Sequence, residues 1–472
     1  MCGICGKISN KPLEHNIIQS MNQSLYHRGP DDEGIYLSND NNCKWFVGLG
    51  HRRLSIIDLS KEGHQPMYNE DSSILLVANG EIYNYRELSD ILEKFGHKFR
   101  SKSDSEIIIH AYEQWGMNCL QKIKGMFAFA IWDKNQESLI IARDLCGEKP
   151  LFYTLDNHSL TFASELPTLL KCGTVSHELN KNALLQYFHY QMIFSPDTIL
   201  KNIKKLPPGH VAVYKNGNLT ITNYTDSIVN FDNNKNFLNI KYCADKLIHS
   251  LEKIIEPVMV SDVPVGLFLS GGLDSSLILA LMAKKQNNPI HTFSIGFEQS
   301  GFNELSWARK VANHFGTHHH EEVVNMDILN VLPDVIDHLG EPMADASVIP
   351  YYYLSKLAAS HVKVVLGGDG ADEVWGGYRR HILRPFLRFF SKTAPIINKI
   401  ACKFSASDGY YASSLIESFK LAEQLAYAQD NGYMPWNPVF SKEELSSLVS
   451  IILTLSTLIL VNINEKRQLK IQ

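Results

Sequence analysis

The sequence contains no long block of basic residues, and its formal net charge is -5 over 472 residues. Binding to a phosphate backbone depends on clustered Lys and Arg, so we do not expect nucleic acid as the main partner. The longest apolar run, residues 448–461, is shorter than the ~20 residues that a membrane-spanning helix needs. No basic segment followed by an apolar one opens the chain, so neither a signal peptide nor a membrane partner is expected.

The eight cysteines are scattered and lack the spacing of a disulfide framework. In a long chain this is typical of reduced thiols in a cytoplasmic protein. Cys2 and Cys5 have the spacing of a redox or metal pair, but no second Cys-x-x-Cys completes a four-thiolate zinc site. A redox pair usually opens a helix, whereas this segment has the pattern of a strand. We therefore expect Cys5 to be a small buried residue.

Two halves of the chain differ in pattern. The first, residues 2–224, has short apolar or alternating runs, which predict strands at 73–78, 126–132, 138–142 and 210–214 and helices at 85–95 and 105–115. This mixture indicates stacked antiparallel sheets with helices outside, an α+β arrangement in layers.

A polar segment at 225–240, rich in Asn and Asp, is interpreted as a linker. Beyond it, predicted helices at 242–259, 275–285 and 305–315 alternate with predicted strands at 265–269, 291–297 and 362–366. Alternation of this kind predicts an α/β doubly wound parallel sheet. We assign the second domain to 241–445 and treat 446–472 as an atypical C-terminal tail.

Cys2 directly follows the initiator methionine. Methionine is commonly removed before a small residue, and removal would place a free α-amine and a thiol on the same residue. An α-amine has a pKa near ~8, so it can take the thiol proton directly or through water. The resulting thiolate is a nucleophile.

Several ordered motifs put Cys2 in a known context. They are residues 2–6 (CGICG), 27–31 (HRGPD), 51–58 (HRRLSIID), 79–84 (NGEIYN), 125–133 (GMFAFAIWD), 142–144 (ARD) and 162–165 (FASE). Together they resemble the class II glutamine amidotransferases, N-terminal-nucleophile glutaminases with a four-layer αββα fold. The resemblance covers the whole first half.

The resemblance implies roles for particular residues. Arg53 would pair with the glutamine carboxylate through its forked guanidinium. The Asn79 side chain and the Gly80 backbone N–H would form the oxyanion hole for a reaction started by Cys2. The glutamine-binding set implied in this way is Arg53, Leu54, Ser55, Ile56, Ile57, Asn79, Gly80, Glu81 and Asp104, the last two of which would hold the α-ammonium.

The same residues have ordinary interpretations when each is taken alone. Asn79-Gly80 is a hairpin turn signal, and Asp104 has the position of a common helix N-cap.

A second motif, residues 267–276 (LFLSGGLDSS), lies at a predicted strand-to-helix turn. Glycines there allow close approach to an anion, and the helix start directs N–H groups at it. The motif is not a Walker loop, because Gly-Lys-Ser/Thr is absent. It resembles the pyrophosphate-binding loop of ATP-pyrophosphatases, which split ATP into an acyl-adenylate and pyrophosphate.

An acidic motif, residues 367–373 (GGDGADE), follows a later predicted strand. Both motifs end parallel strands, where such sheets bind ligands. Asp274 makes sense as a Mg²⁺ ligand, and the resemblance implies Asp372 as the other and Asp369 near the acceptor or as a base. The implied ATP-binding set is Phe268, Ser270, Gly271, Gly272, Asp274, Ser275, Ser276, Ile295, Gly367 and Gly368, with Phe268 and Ile295 lining the adenine pocket.

Residues 318–321 (HHHE) suggest a metal site at first sight. Adjacent residues on a strand point to opposite sides, however, and the family has a similar His-His-Glu without bound metal. An EF-hand-like calcium loop at 367–373 lacks the required ligand spacing.

Both halves together resemble the glutamine-dependent asparagine synthetases, with glutamine, aspartate, ATP and Mg²⁺ as expected ligands. Homodimers are common in that family. Two alternatives stay open: amidation of another carboxylate, such as a uronic acid or a peptide, and a glutaminase-only remnant. Family members often have serine at the position of Gly367 and glutamate at that of Asp369. The resemblance fades after about residue 440, so we expect a truncated synthetase domain.

Overall fold

The computed structural model describes residues 1–38, 44–156, 158–225, 239–286, 288–297, 304–324 and 328–378. They fall into two compact units, the larger formed by Met1–Glu178, Ser195–Glu341 and Ala346–Gly368 and the smaller by Leu179–Phe194, Pro342–Asp345 and the described residues from 369. Nearly all of the expected linker and the whole expected tail lie outside the described ranges. Within those ranges, no helix is both long and apolar enough to cross a membrane.

Two antiparallel six-stranded sheets make up the first half. Their strands are β1 (Gly3–Ser9), β2 (Asp32–Leu37), β3 (Phe46–Arg53), β4 (Met67–Tyr68), β5 (Ile74–Ile82), β6 (Gly125–Asp133), β7 (Ser138–Arg143), β8 (Phe152–Asp156), β9 (Ser159–Ala163), β10 (Ile203–Lys205), β11 (His210–Lys215) and β12 (Asn218–Asn223). One sheet has the order β10-β8-β9-β1-β3-β2, and the other β12-β11-β7-β6-β5-β4.

The sheets pack face to face, with helices on their outer sides. Ile4 and Val47 of the first sheet meet Val77 and Ala130 of the second in one buried core. The helices of this half that belong to the larger unit are α1 (His15–Ser24), α2 (Tyr85–Lys94), α3 (Glu106–Trp115) and α4 (Leu166–Leu170), while α5 (Lys181–Tyr190) belongs to the smaller unit. α2 and α3 cover the outer face of the second sheet, while α1 packs on β1 and β3. The predicted four-layer αββα arrangement is confirmed.

The second half contains a parallel sheet. Its elements are α6 (Ile240–Val258), β13 (Val265–Phe268), α7 (Leu273–Ala283), β14 (His291–Phe297), α8 (Leu305–Phe315), β15 (His318–Val324), α9 (Ile328–Leu339), α10 (Val348–Ala359), β16 (Val364–Leu366) and α11 (Ala371–Trp375). The sheet order is β15-β14-β13-β16, and all three pairings are parallel. The predicted α/β parallel-sheet class is confirmed. Of these helices, α11 belongs to the smaller unit, as does α5.

Two ordinary interpretations of the sequence are wrong. Asn79-Gly80 is not a hairpin turn, because both residues lie inside β5, opposite Ala128 and Phe127 of β6. Asp104 does not cap α3 with its side chain; the cap position is Ser105. The Asp104 carboxylate instead accepts the backbone N–H of Ile82 at 2.6 Å.

Candidate active site

Cys2 lies at the start of β1, next to the end of β3. Gly3 pairs with Arg52 in the antiparallel register, so Cys2 falls beside Arg53 and Leu54. Its Sγ accepts the N–H of Leu54 at 3.4 Å and lies 3.7 Å from the Leu54 carbonyl oxygen. Burial raises the pKa of the Cys2 thiol while Met1 is attached. A base beside the thiol is therefore needed to make it nucleophilic.

The carbonyl of Cys2 is held by a half-buried ion pair. Arg28 donates from Nε to the Cys2 oxygen at 2.9 Å, and its Nη1 lies 2.9 Å from Glu165. His27 contacts the same carboxylate at 3.0 Å. Three of the sequence motifs thus meet at one point and fix the backbone of Cys2.

Asn79 offers an unused hydrogen-bond donor. Its side chain is 1% exposed, yet Nδ2 has no partner among the described residues. A buried donor left unpaired costs free energy, so it is expected to have a ligand. At Gly80, a Cβ would lie 2.1 Å from the Met126 carbonyl oxygen, and only glycine fits there. These two neighbours can supply a pair of N–H donors to a developing oxyanion.

Two carboxyl groups lie close together beyond the donors. Asp104 is buried, and Glu81 on β5 is half-buried. Burial raises the pKa of Glu81, and the neighbouring Asp104 charge adds to this effect. Burial likewise raises the pKa of Asp104, against the opposing N–H of Ile82. The charged forms of two such carboxyl groups would be stabilised by a nearby positive charge, which an ammonium group would supply.

Arg53 is tied to the loop that follows it. Nη1 donates to the Ser60 carbonyl at 2.9 Å, and Nη2 donates to the carbonyls of Ile57 and Asp58. These bonds use three of the five N–H groups of a guanidinium, leaving the one on Nε and one on Nη1. The structure therefore gives Arg53 a loop-holding role that the sequence did not predict.

The loop of residues 54–58 also contacts the second half within the same unit. The Asp262 carboxylate accepts the N–H of Asp58 at 2.8 Å, and the Asp262 N–H donates to the Ile56 carbonyl at 3.0 Å. Asp31 accepts both the Ser55 N–H and the Lys363 ammonium. Neither Asp262 nor Lys363 carried a signal in the sequence.

The motif at 267–276 forms a tight turn between β13 and α7. Gly271 has φ +80°, and a Cβ there would lie 2.5 Å from the Ala308 backbone nitrogen. Ser270 Oγ accepts the Gly272 N–H and lies 3.1 Å from Ser275 Oγ. Ser276 Oγ is buried and has no partner among the described residues. The turn thus presents hydroxyl and N–H donors at a helix start, as an anion site requires.

Other predicted nucleotide contacts lie at the same sheet edge. Leu267 pairs with Leu366 and with Thr292 in the parallel registers, so Phe268 ends its strand beside Gly367. A Cβ on Gly368 would lie 3.2 Å from the Ser275 nitrogen and 3.3 Å from Asp274 Cβ, which shows a close approach to α7. Ile295 lies on the neighbouring β14.

Asp369 and Asp372 belong to the smaller unit. There Gly370 has φ +86°, Asp372 lies in α11, and the Gly377 N–H donates to the Asp372 carbonyl at 3.0 Å. Their predicted contacts with the nucleotide and Mg²⁺ stay predictions.

The neighbouring histidines His319 and His320 contact different partners. His319 Nδ1 lies 2.9 Å from Thr292 Oγ1, whereas His320 Nε2 lies 3.0 Å from Nδ1 of His291.

One cavity of about 410 Å³ joins the two halves inside the larger unit. On the side of the first half it touches Met1, Leu54, Ile57 and Glu81, and on the side of the second half it reaches β16 and Gly367. Lys149 also lines it, with Nζ 2.9 Å from Met1 Sδ, and burial lowers the pKa of this lysine. Sequence reasoning missed Lys149, because only the fold brings it beside Met1.

The comparisons with known proteins agree with this geometry. Residues 1–225 match the family model described as "Glutamine amidotransferase domain", and residues 246–444 match "Asparagine synthase". Asparagine synthetase (glutamine-hydrolyzing) 1 of Bacillus subtilis (strain 168) is 38% identical over 432 residues, which cover 88% of this chain and 65% of that protein. Putative asparagine synthetase (glutamine-hydrolyzing) 2 of Methanocaldococcus jannaschii is 37% identical over 427 residues, covering 85% and 80%.

One solved structure, that of the allosteric regulatory enzyme of purine biosynthesis, is similar at a TM-score of 0.37 and 18% identity, covering 62% of this chain and 65% of that one. A similarity of this size bears on no functional point. The chain spans 65% of the length of the Bacillus relative, which is less than two thirds, and 80% of the length of the Methanocaldococcus relative. With both domain models matched in order and 37% identity over most of the second relative, the chain belongs to the glutamine-hydrolysing asparagine synthetase family.

Proposed function

We propose that this chain converts aspartate to asparagine, using ATP to form a β-aspartyl-adenylate and glutamine as the source of ammonia. The products are AMP, pyrophosphate and glutamate. The observation that carries the proposal is that one and the same cavity touches Leu54 and Glu81 at one end and the strand end at Gly367 at the other. Relatives named asparagine synthetase support aspartate over other carboxylates.

In the glutaminase half, Cys2 Sγ attacks the side-chain amide carbon of glutamine once Met1 has been removed. The Cys2 amine takes the thiol proton and passes it to the departing ammonia, which leaves a thioester that water hydrolyses. Asn79 Nδ2 and the Gly80 N–H stabilise the oxyanion. Arg53 uses its remaining N–H groups on the glutamine carboxylate. Leu54, Ser55, Ile56 and Ile57 form the wall beside it, and Glu81 and Asp104 hold the α-ammonium.

In the synthetase half, the turn at 270–276 cradles the phosphates and Phe268 and Ile295 contact adenine. Asp274 supplies a carboxylate beside the buried hydroxyls of Ser275 and Ser276, a donor set of oxygens that fits Mg²⁺. Asp274 and Asp372 would hold this ion, which neutralises phosphate charge when bound. Asp369 acts near the acceptor carboxylate or the incoming ammonia.

Ammonia is proposed to move through the cavity between the two sites. Free ammonia is mostly protonated near neutrality and is then not a nucleophile, so a path lined by apolar residues such as Ile57, Val260 and Val364 preserves it.

We place the reaction in the cytoplasm, where reduced thiols persist, because all six described cysteines are free. The homodimer stays a prediction.

Pyrophosphate release by the purified chain tests the proposal. With ATP, Mg²⁺ and aspartate, both glutamine and ammonium are expected to support release, and asparagine is expected to form. Release with a different carboxylate, and none with aspartate, would reassign the acceptor. Glutamine hydrolysis with no carboxylate-dependent release would leave only a glutaminase.

Asn79→Ala is expected to lower the rate of glutamine hydrolysis by about 10²–10³-fold, because it removes one oxyanion donor. The KM for glutamine should change little, since the donor acts mainly in the transition state. Asn218→Ala, on the exposed β12, is the matched control and should keep the wild-type rate. An Asn79→Ala enzyme of normal kcat would remove Asn79 from the oxyanion hole.

The KM for glutamine should rise as the pH is lowered from ~10 to ~5, a window that spans the raised pKa of Glu81, about 9, and that of Asp104, about 6. Binding of the α-ammonium needs ionised Glu81 and Asp104, and burial has raised the pKa of both. Affinity is therefore highest above those pKa values and is lost as the pH falls through them.

Asp104→Asn keeps the acceptor for the Ile82 N–H but removes one charge. Its KM should be about tenfold higher at alkaline pH, with the rise at low pH displaced to lower values. Asp90→Asn, on the exposed side of α2, serves as the control. A wild-type KM that stays flat over this pH range contradicts the assignment.

A further inference from the structure

Three side chains of the first half converge on one point away from the proposed glutamine and nucleotide sites. His97 follows α2, while His110 and Glu113 lie three residues apart on one face of α3. Nδ1 of His97 is 3.2 Å from Nδ1 of His110. Glu113 Oε2 is 3.1 Å from the latter atom and 3.7 Å from the former. Among the described residues, no other three His, Cys, Asp or Glu side chains bring their ligand atoms within 4.8 Å of one another.

These separations suit a tetrahedral metal ion. Zn²⁺ lies about 2.0–2.1 Å from its nitrogen and oxygen ligands, which places neighbouring ligand atoms roughly 3.3 Å apart. The three distances lie close to this edge length. Two imidazoles and one carboxylate are also a ligand set that Zn²⁺ commonly takes.

Each histidine is oriented by its other ring nitrogen. His97 Nε2 lies 3.1 Å from Gln114 Oε1, and His110 Nε2 lies 3.5 Å from Glu106 Oε1. Because both partners are oxygen acceptors, each Nε2 carries the proton and each Nδ1 presents a lone pair. Outer hydrogen bonds of this type accompany most metal-binding histidines.

The carboxylate has the same kind of support. Asn69 Nδ2 donates to Glu113 Oε1 at 2.8 Å, which leaves Oε2 facing the two histidines. Three electron-pair donors thus point at one small volume. A proton on one Nδ1 satisfies one contact at a time, whereas a cation satisfies all three.

The local fold builds the cluster. Gly96, with φ +97°, follows the end of α2. The His97 N–H donates back to the Leu92 carbonyl at 3.2 Å, which turns His97 towards α3. Phe99 packs edge-on against the His110 ring at 4.7 Å. His110 is 2% exposed, and Glu113 lies on the exposed side, where an ion can enter.

We propose that His97, His110 and Glu113 form a binding site for Zn²⁺ or a similar transition-metal ion, with the fourth position open to water. The ion ties the turn after α2 to α3, the helix that follows Asp104. Its role is structural, and the site is independent of the ATP-linked Mg²⁺.

Metal titration of the chelator-treated, full-length chain tests this site. Zn²⁺ alone is measured by competition with a chromophoric chelator, and Co²⁺ alone by its visible absorption, in a Cys2→Ala background that removes the thiol–amine pair as a competing ligand. We expect one ion per chain with a tetrahedral Co²⁺ spectrum and a raised Tm. Glu113→Gln and His97→Gln are each expected to weaken binding by at least about 100-fold and to abolish the Tm increase.

His158→Gln, at the exposed turn between β8 and β9, is the matched control and should bind as the parent does. Circular dichroism of Glu113→Gln, whose side chain lies at the outer edge, checks that the variant is folded. Equal affinity in the parent and in folded Glu113→Gln and His97→Gln would overturn the proposal, as would absence of Zn²⁺ binding by the folded parent. The latter result would assign the cluster to a protonated His110 between Glu106 and Glu113.

Discussion

Cys2→Ala is expected to lower glutamine hydrolysis by at least ~10⁴-fold, because it removes the nucleophile on which the covalent route depends. Ammonium-supported pyrophosphate release should stay within about twofold of the wild-type rate, since the proposed nucleotide turn at 270–276 contains no residue of the proposed glutamine site. The measurement compares glutamate release from glutamine with pyrophosphate release from ATP, aspartate and ammonium.

Cys146→Ala is the matched control, because Cys146 is a free, exposed thiol outside the proposed site. It should leave both activities unchanged. Residual glutamine hydrolysis in Cys2→Ala at a rate near that of the wild type would contradict the nucleophile assignment. Equal loss of both activities in a folded protein would contradict the separation of the two sites.

Asp274→Asn is expected to lower pyrophosphate release by about 10²–10³-fold with either nitrogen donor, because the amide is a weaker ligand for Mg²⁺ and leaves phosphate charge unneutralised. Glutamine hydrolysis should continue at the wild-type rate when measured without ATP. Raising the Mg²⁺ concentration should restore part of the loss if the defect is in metal affinity.

Asp337→Asn, on the exposed side of α9, changes the charge by the same amount far along the chain from the turn and should behave as the wild type. An Asp274→Asn enzyme with unchanged pyrophosphate release and unchanged Mg²⁺ dependence would contradict the assignment of Asp274.

Much of the fold was predictable because its elements have strong periodicity. The predicted strand at 291–297 and helix at 305–315 coincide with β14 and α8. The alternating run at 126–132 lies within β6. The turn interpretation of Asn79-Gly80 failed because nine residues of β5 pair with β6, and this pairing overrides the local preference of the dipeptide. The domain boundaries near 224 and 241 stay predictions.

The candidate site was predictable only where residues carry motif signals. Cys2, Asn79 and the serines around Gly271 were identified from short motifs. Lys149 and Asp262 were not, because their roles depend on contacts with residues more than a hundred positions away. The Asn69 bond to Glu113 and the contact of His97 with Gln114 likewise arise from tertiary packing, which no local pattern encodes.

The intact mass of the active protein shows whether Cys2 is the free end of the chain. While Met1 is attached, the free amine belongs to Met1, where burial lowers its pKa to about 6, and the Cys2 nitrogen is an amide that cannot act as a base. We predict that protein with full glutaminase activity has the mass of the chain without Met1, and that protein retaining Met1 is inactive with glutamine. A population that keeps Met1 and hydrolyses glutamine at the full rate would contradict the proposed mechanism.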